Sequence, residues 1–356
     1  MSTYAFEIPD LTGLALTVEG PVDPSTLGST LMHEHVFLDL RRPPAHHRPG
    51  EDTPEAAEPL TLANLARTRH GHPNADNDRL TGLDEMAAEV LAFARAGGRT
   101  LVEVTPRGVG RDPAALLALS RATGLNVVMG GGWYTPVFHP AGFDRLGVDE
   151  LTELLVRDVV LGADGTGVRS GVIGEVGAET APLTDGELKS VRAAGRASRI
   201  TGAPVSFHVG GVGEEKFRVL DILAEEGVAP GNVVFGHAMD VLGDPDFADR
   251  LLERGVFVEF DFMASPGSPW GHLVLGSDHK VVRGIAGLVE RGWAGQLVLG
   301  HDVCQKIQLK RYGGQGYDYI PRHFLPALRG HGVDEADLHR ITVENPARAL
   351  AFTAPQ

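Results

Sequence analysis

Eight short runs of apolar and β-branched residues recur along the chain, and segments with a helical pattern separate them. The predicted strands are Thr30 to Phe37, Thr100 to Thr105, Asn126 to Gly130, Gly171 to Glu175, Val205 to His208, Val233 to His237, Val256 to Asp261 and Leu297 to Asp302. Most of the intervening helical segments end in Gly before the next strand, as a helix stop would. Strands alternating with helices are typical of a parallel sheet, and eight such units indicate an α/β fold of the closed (β/α)8 TIM-barrel type.

One long insertion breaks this rhythm. Residues 41–80 are rich in Pro, His, Arg and Asn and follow the first predicted strand. They are therefore predicted to form a large loop on the face where barrels of this kind place their active sites, at the carboxyl ends of the strands. Since no linker composition separates two halves, residues 1–356 are predicted to form a single domain.

Composition limits the classes of partner. Lys and Arg number 32 against 47 Asp and Glu, a net charge of −15, which argues against nucleic acid or an anionic membrane as a partner. The single cysteine, Cys304, excludes an intrachain disulfide, and there is neither a secretion signal nor an apolar run of membrane-spanning length. These features predict a cytoplasmic protein, and a homodimer is left open.

The stretch LMHEHVFLDL, residues 31–40, places two histidines two positions apart in the first strand. Successive side chains of a strand point to opposite faces, so His33 and His35 point the same way while Glu34 points the other way. Two imidazoles on one face are half of a metal site. An apolar strand with two hydrogen-bonded histidines is the alternative.

The carboxyl ends of the other predicted strands carry further imidazole and carboxylate groups. With the pair on strand one, the full set is His33, His35, Glu175, His208, His237 and Asp302. Each alone has an ordinary explanation, such as a helix cap, but together they meet at the rim where this architecture gathers its active sites. Imidazoles and carboxylates without thiolates suit Zn²⁺, Mn²⁺ or Co²⁺. Six ligands exceed what one catalytic zinc uses, and they fit two metals sharing a bridge.

Several separated motifs, in order along the chain, resemble one known family. The motifs are HEH, LVEVTPRGVGRDP, GEVG, TGAPVSFH, GNVVFGHAMD, LGHDVCQKIQLKRYGGQGYDYI and ENPARALAF. They are similar to the phosphotriesterase-related branch of the amidohydrolase superfamily. The resemblance implies a binuclear-metal-dependent hydrolase that uses a metal-bridging hydroxide on a carboxylic ester, lactone or amide bond of a small-molecule substrate.

The resemblance also assigns the metal ligands. It implies two divalent metal ions, with zinc expected and manganese or cobalt as alternatives. The more buried ion would be held by His33, His35 and Asp302, the more exposed ion by His208 and His237, and Glu175 would bridge the two. Asp302 would in addition take the proton of the hydroxide and deliver it to the leaving group.

The residue at the bridging position departs from many relatives. Phosphotriesterases and quorum-sensing lactonases bridge their metals with a carboxylated lysine at the end of strand four, whereas the first lysine here is Lys189, on the helix beyond that strand. Glu175, flanked by Gly174 and Gly177, supplies a carboxylate directly. In this the chain resembles the glutamate-bearing subgroup of the family, which keeps amide substrates in play.

Two residues are predicted to contact substrate. Tyr134, in GGGWYTP, matches the position where lactonase relatives carry a tyrosine over the substrate oxygen, and a packing aromatic is the alternative. Asp261, in VEFDFMASP, ends strand seven. Phe262 stands where some lactonases place an arginine, which argues against recognition of a charged lactone.

Two other functions fit the same ligand set. The first alternative is hydrolysis of a phosphoric ester, such as a phosphotriester, which two-metal chemistry permits equally. The second, from another class, is a metal-containing binding protein without turnover. The presence of Asp302 argues against the second, because a protein that only binds has no need of a proton acceptor.

Overall fold

Eight parallel strands form the centre of the computed structural model, which describes residues 5–210, 212–264, 269–270, 273–274 and 277–356. They are β1 Thr30–Glu34, β2 Thr100–Glu103, β3 Asn126–Met129, β4 Ile173–Gly177, β5 Val205–His208, β6 Val233–Gly236, β7 Phe257–Phe260 and β8 Leu297–Leu299. All eight overlap the predicted strands and occur in the predicted order.

The strands close into a ring. Strands β1 to β3 pair in parallel in sequence order, and so do β4 to β8. Between β3 and β4, the N–H of Gly171 donates to the carbonyl of Met129 at 2.8 Å. Between β8 and β1, the N–H of Asp302 donates to the carbonyl of His33 at 3.0 Å. Both gaps are thus bridged, and the predicted (β/α)8 barrel is confirmed.

Helices link the strands and complete the chain. They are α1 Leu62–Arg69, α2 Leu83–Arg95, α3 Pro113–Thr123, α4 Val148–Val160, α5 Asp185–Thr201, α6 Glu215–Glu225, α7 Pro245–Leu252, α8 Asp278–Glu290, α9 Leu325–Gly330, α10 Glu335–His339 and α11 Asn345–Ala349. In α3 the Asp112 side chain accepts the N–H of Ala115, and Gly124 ends the helix in the left-handed conformation. None of the helices in the described ranges has the length and apolar character that a membrane span requires.

Alternation along the strands divides the core into two layers. Val102, Val128, Val234 and Val298 belong to one apolar cluster, which contains no residue of α2 to α8. Their neighbours along the strands belong to a larger cluster that includes helix residues such as Leu116. Since successive side chains of a strand point to opposite faces, the first cluster fills the barrel interior and the second packs the helices on it.

Two of the site-bearing strands, β1 and β8, end about three residues earlier than predicted. Strand β1 ends at Glu34 instead of Phe37, and β8 ends at Leu299 instead of Asp302. Asp302 adopts a left-handed backbone conformation, with φ 53°, which cannot continue a strand. His35 and Asp302 therefore lie on the turns just beyond the strands. There the direction of a side chain no longer follows the alternation of a strand, and both side chains point inward.

The insertion at 41–80 contains more regular structure than a loop. Its ends are joined because Leu38–Asp39 pairs antiparallel with Arg79–Leu80, and helix α1 lies between them. At only 8 residues, α1 is too short to show a clear helical period in the sequence. Asp78 accepts a hydrogen bond from the Gln305 side chain at 2.7 Å, just beyond β8. This contact places the insertion at the carboxyl ends of the strands, as predicted.

Two further strand pairs lie outside the barrel. They are Ala15–Thr17 with Gly20–Val22, and Pro269–Trp270 with Leu273–Val274. Both pairs are antiparallel.

Candidate metal centre

The six predicted ligands all gather around the carboxylate of Glu175. Its Oε2 atom lies 3.1 Å from His208 Nδ1, 3.4 Å from His33 Nε2 and 3.7 Å from His237 Nε2. Its Oε1 atom lies 3.5 Å from His35 Nε2, and the same nitrogen lies 3.2 Å from Asp302 Oδ1. Residues separated by up to 269 positions in sequence are thus brought to one point.

The six side chains differ in their access to solvent. The His33 side chain is completely buried, whereas that of His208 is 16% exposed, the most open of the six. His208 Nδ1 also lies 2.8 Å from His237 Nε2, so two ring nitrogens face each other beside one carboxylate. Only His208 is clearly open to solvent among the six, because the His237 side chain, at 4%, is as buried as those of His35 and Asp302.

The donor atoms fit divalent cations. His33 Nε2 is buried and has no hydrogen-bond partner within the described part of the chain, an arrangement that is costly unless another group satisfies the nitrogen. Two groups of potential ligands share Glu175, one with His33 and His35 and the other with His208 and His237. Nitrogen and carboxylate donors without thiolates suit Zn²⁺, Mn²⁺ or Co²⁺.

Buried carboxylates hold the outer nitrogens of two of these imidazoles. His33 Nδ1 lies 3.3 Å from Glu259 Oε2, and His237 Nδ1 lies 3.0 Å from Asp261 Oδ1. Such outer partners are typical of metal-binding histidines, because they fix the ring orientation and raise the basicity of the inner nitrogen. Both carboxylates come from β7 and its end, two positions apart.

His35 is held in place through two successive hydrogen bonds. Its Nδ1 atom lies 2.9 Å from the hydroxyl of Thr105, which in turn donates to Glu103 at 2.5 Å. Glu103 is completely buried and also accepts the N–H of Val36 at 3.1 Å. The ring of His35 is therefore fixed from strand β2, on the side away from Glu175.

Asp261 lies behind His237 and does not line the cavity. It is completely buried and accepts both the backbone N–H of His237, at 2.9 Å, and its ring N–H. This position favours a supporting role over the predicted substrate contact. Sequence reasoning missed Glu259 and Glu103, although an acid within an apolar strand was the available signal: in VEFDF two acids alternate on one face.

Charge in the site favours a bound cation. Burial acts to raise the pKa of Glu175, but His33 and the other imidazoles lower it well below its ordinary value. Burial acts to lower the pKa of His33, but Glu259 and Glu175 raise it well above its ordinary value. In the same way Asp261 and Glu175 raise the pKa of His237 to about 10, against burial. The carboxylates thus favour positive charge at this point of the structure.

A small cavity opens onto this cluster. It is lined by His35, Leu38, Leu40, Val109, Tyr134, Glu175, His208, His237, Asp302 and Cys304. The Tyr134 ring stands edge-on to His208, with 5.0 Å between centroids, where the sequence placed it. Burial, and then the carboxylates of Glu175 and Asp302, raise the pKa of its phenol well above its ordinary value, so it remains a hydroxyl donor.

Glycines let β4 pack closely against its neighbours. A Cβ atom at Gly177 would lie 2.7 Å from the carbonyl carbon of Tyr134, and one at Gly174 would lie 2.5 Å from the carbonyl oxygen of Ser206. These glycines leave room for the neighbouring backbones, so that Glu175 lies at the centre of the site.

Comparisons with known proteins agree with this geometry. The sequence model of the phosphotriesterase family matches residues 14–350. An N-acetyltaurine hydrolase of Tetraodon nigroviridis is 33% identical over 352 residues, covering 96% of this chain and 99% of that protein. A resiniferatoxin-binding protein from Rhodobacter sphaeroides has a similar structure, with a TM-score of 0.90, 38% identity and 98% of both chains covered. A lactonase from Listeria monocytogenes gives a TM-score of 0.77 at 25% identity, covering 95% of this chain and 99% of that one.

Proposed function

The chain belongs to the phosphotriesterase family. On that premise we propose that this metal-dependent hydrolase cleaves the amide bond of a small N-acyl amine whose amine part carries an anionic group. The observation that carries the proposal is the convergence of four imidazoles and Asp302 around a glutamate bridge. The amide is favoured over the ester or lactone because relatives named N-acetyltaurine hydrolase match 96% of the chain.

We infer that two divalent ions bind, zinc being the expected metal. His33, His35 and Asp302 would hold one ion, His208 and His237 the other, and Glu175 both. When bound, such ions would lower the pKa of a water molecule at the site and polarise the carbonyl oxygen of the substrate.

Side chains around the cavity would direct the proton transfers. Asp302 is held ionised, since His35 and the other imidazoles lower its pKa although burial acts to raise it. Its carboxylate can therefore accept a proton and pass it to the amine leaving group. Tyr134 stays protonated and can donate a hydrogen bond to the substrate oxygen. Leu40 and Val109 close one side of the cavity with apolar surface.

Arg42 is the proposed contact for the anionic group. Its guanidinium lies 6.0 Å from the centroid of the Phe138 ring, and Phe138 packs against Tyr134 with 5.5 Å between ring centroids. Aromatic side chains thus connect the cavity with this cation. Among the described residues the guanidinium makes no hydrogen bond, and its ion-pair contact is with Glu51 at 4.0 Å. Its N–H groups are available to a sulfonate or carboxylate.

The guanidinium of the adjacent Arg41, unlike that of Arg42, is hydrogen-bonded. Arg41 donates to Asp39 from Nε at 2.8 Å and from Nη2 at 2.7 Å, which occupies the fork of its guanidinium. Arg41 and Arg42 have the same charge and neighbouring positions, but only Arg42 has this fork free within the described structure. Arg41 therefore provides a matched control.

A substrate screen tests the proposed reaction. The metal-reconstituted protein is assayed with N-acetyltaurine, an N-acyl amino acid, an aryl ester, a lactone and an organophosphate. We expect the highest kcat/KM for one of the anionic amides. A preference for the organophosphate would support the phosphoric-ester alternative. Binding without turnover of any substrate would support the binding protein, the activity for which the Rhodobacter relative is named.

The substitution Arg42→Gln tests the anionic contact. A charge-assisted hydrogen bond contributes about 1.5–3 kcal/mol, so KM for the anionic amide should rise about tenfold or more while kcat changes little. KM for an uncharged amide of similar size should not change, and Arg41→Gln should behave as the wild type. An equal effect of Arg42→Gln on charged and uncharged amides would contradict the assignment.

A further inference from the structure

Asp302 holds its carboxylate in the cavity through an unusual backbone conformation. Its φ of 53° lies in the left-handed region, which residues other than glycine rarely adopt. Such a conformation persists only where the surrounding structure fixes it, and it is common at functional sites. The Asp302 side chain reaches His35 at 3.2 Å from this turn.

A single buried carboxylate holds the backbone on both sides of Asp302. Glu34 Oε1 accepts the N–H of His301 at 2.8 Å, and Glu34 Oε2 accepts the N–H of Val303 at 3.2 Å. Glu34 is completely buried, and it is the last residue of β1. The two amides that flank the left-handed residue are thus fixed to the strand that carries the two histidines.

The side chain of His301 completes this arrangement. Its Nε2 atom accepts the backbone N–H of Ile320 at 3.0 Å, so in the neutral ring the proton lies on Nδ1. Nδ1 therefore donates to Glu34 Oε1, at 2.7 Å. The Glu34 carboxylate accepts these three hydrogen bonds from the described residues, and among those residues it has no Lys or Arg partner.

We propose that Glu34 is a positioning residue for Asp302. It points away from the metal centre, but by fixing the turn from His301 to Val303 it sets the direction of the Asp302 carboxylate. Each residue of the sequence HEH then has its own role: the two imidazoles face Glu175 in the metal centre, and the glutamate between them aligns the acid that follows β8. The inference rests on the proposed role of Asp302 as ligand and proton acceptor.

The substitution Glu34→Gln tests the inference with little change of shape. An amide has one oxygen and one NH₂ group, so in either orientation a donor faces one of the two backbone N–H groups. We expect kcat to fall about tenfold to hundredfold, the usual effect of losing a residue that orients a metal ligand. We also expect the metal to be lost faster during dialysis against a chelator, a readout that requires no substrate.

Glu89→Gln is the matched control. Glu89 is a buried carboxylate on α2 that accepts the N–H groups of Lys310 and Arg311, each at 2.9 Å. It therefore fixes two adjacent backbone amides, but neither flanks a predicted ligand. We expect Glu89→Gln to lower the thermal unfolding temperature while kcat and metal retention remain near wild type. Equal effects of the two variants on kcat and metal retention would overturn the inference.

A double variant separates positioning from general damage. If Glu34 acts through Asp302, adding Glu34→Gln to Asp302→Asn should lower the residual kcat no further. Multiplied losses would overturn the inference. Wild-type activity of Asp302→Asn alone would instead contradict the proposed function. If Glu34→Gln does not fold, His301→Asn replaces it: the same dependence on Asp302 is expected, and multiplied losses again count against the inference.

Discussion

The surroundings of His33 and His237 favour protonated rings in the metal-free site. Burial acts to lower the pKa of both rings, but nearby carboxylates raise it, that of His237 to about 10, so we expect a metal ion to displace protons when it binds. We expect the addition of Zn²⁺ to release protons into weakly buffered solution, detected with a pH indicator, and apparent metal affinity to rise with pH. Metal binding without proton release would show that the rings are already neutral.

The same pKa shift predicts how stability depends on pH. For His237 the folded-state pKa of about 10 lies above the ordinary value of 6.5. Its contribution to the free energy of unfolding is therefore complete below about pH 6.5 and is lost as the pH rises through about 10. Denaturant titrations of metal-free protein should show this loss, and His237→Ala should remove much of it.

Asp302 is the residue on which we expect turnover to depend most. The substitution Asp302→Asn keeps the size of the side chain and removes the charge that accepts a proton. We expect kcat to fall about 10²–10⁴-fold, the usual contribution of general acid–base assistance, with the circular dichroism spectrum unchanged. Metal content is measured alongside, since Asp302 is also a proposed ligand. A metal-loaded variant with wild-type rates would exclude Asp302 from the mechanism.

At the scale of elements, strand register sets the level of the donor atoms. His208 on β5 is paired with Gly177 on β4 and with Gly236 on β6. His237 directly follows Gly236 and so lies one residue beyond the level of His208. Glu175 lies two residues before β4 ends at Gly177. Parallel pairing thus aligns the carboxyl ends of the strands, and the ligands follow from where each strand stops.

Close packing of β4 can be tested with a methyl group. In Gly177→Ala the new Cβ would lie 2.7 Å from the carbonyl carbon of Tyr134, and backbone cannot move aside easily. We expect the free energy of unfolding to fall by about 1–3 kcal/mol, as overpacking usually costs. Gly287→Ala is the control. Gly287 lies within α8, and among the described residues no atom beyond its chain neighbours and its own helix backbone lies within 4 Å of the new methyl group. This substitution should raise the free energy of unfolding by about 0.5–1 kcal/mol. Equal effects would contradict this packing.

At the scale of the whole molecule, the barrel places a permanent carboxylate, Glu175, at the proposed bridging position. Glu175 needs no chemical modification, whereas a carboxylated lysine requires CO₂. We expect elemental analysis to find about two ions per chain, because one catalytic zinc uses only three protein ligands. Reconstitution in CO₂-depleted buffer should restore the same metal content and activity as reconstitution with bicarbonate. A bicarbonate requirement, or full activity of Glu175→Gln, would show that another group joins the metals.

The sequence alone determined the barrel and the six converging donors. Both depend on local patterns: eight apolar runs alternate with helical segments, and five of the predicted strands carry the six His or acidic donors. In a parallel barrel all strand ends meet at one rim, so position within a strand was enough to place His208 and Asp302 together. A cytoplasmic location and zinc as the metal are still predictions.

Only the tertiary structure decided which groups support those donors. Glu34 and His301 are 267 positions apart, and their hydrogen bond depends on the closure of β8 against β1. Asp261 was expected to face substrate, but the turn after β6 places His237 over it. A strand pattern assigns a side chain to one face but not to a partner, because the partner is set by register and by turns whose backbone conformation depends on distant contacts.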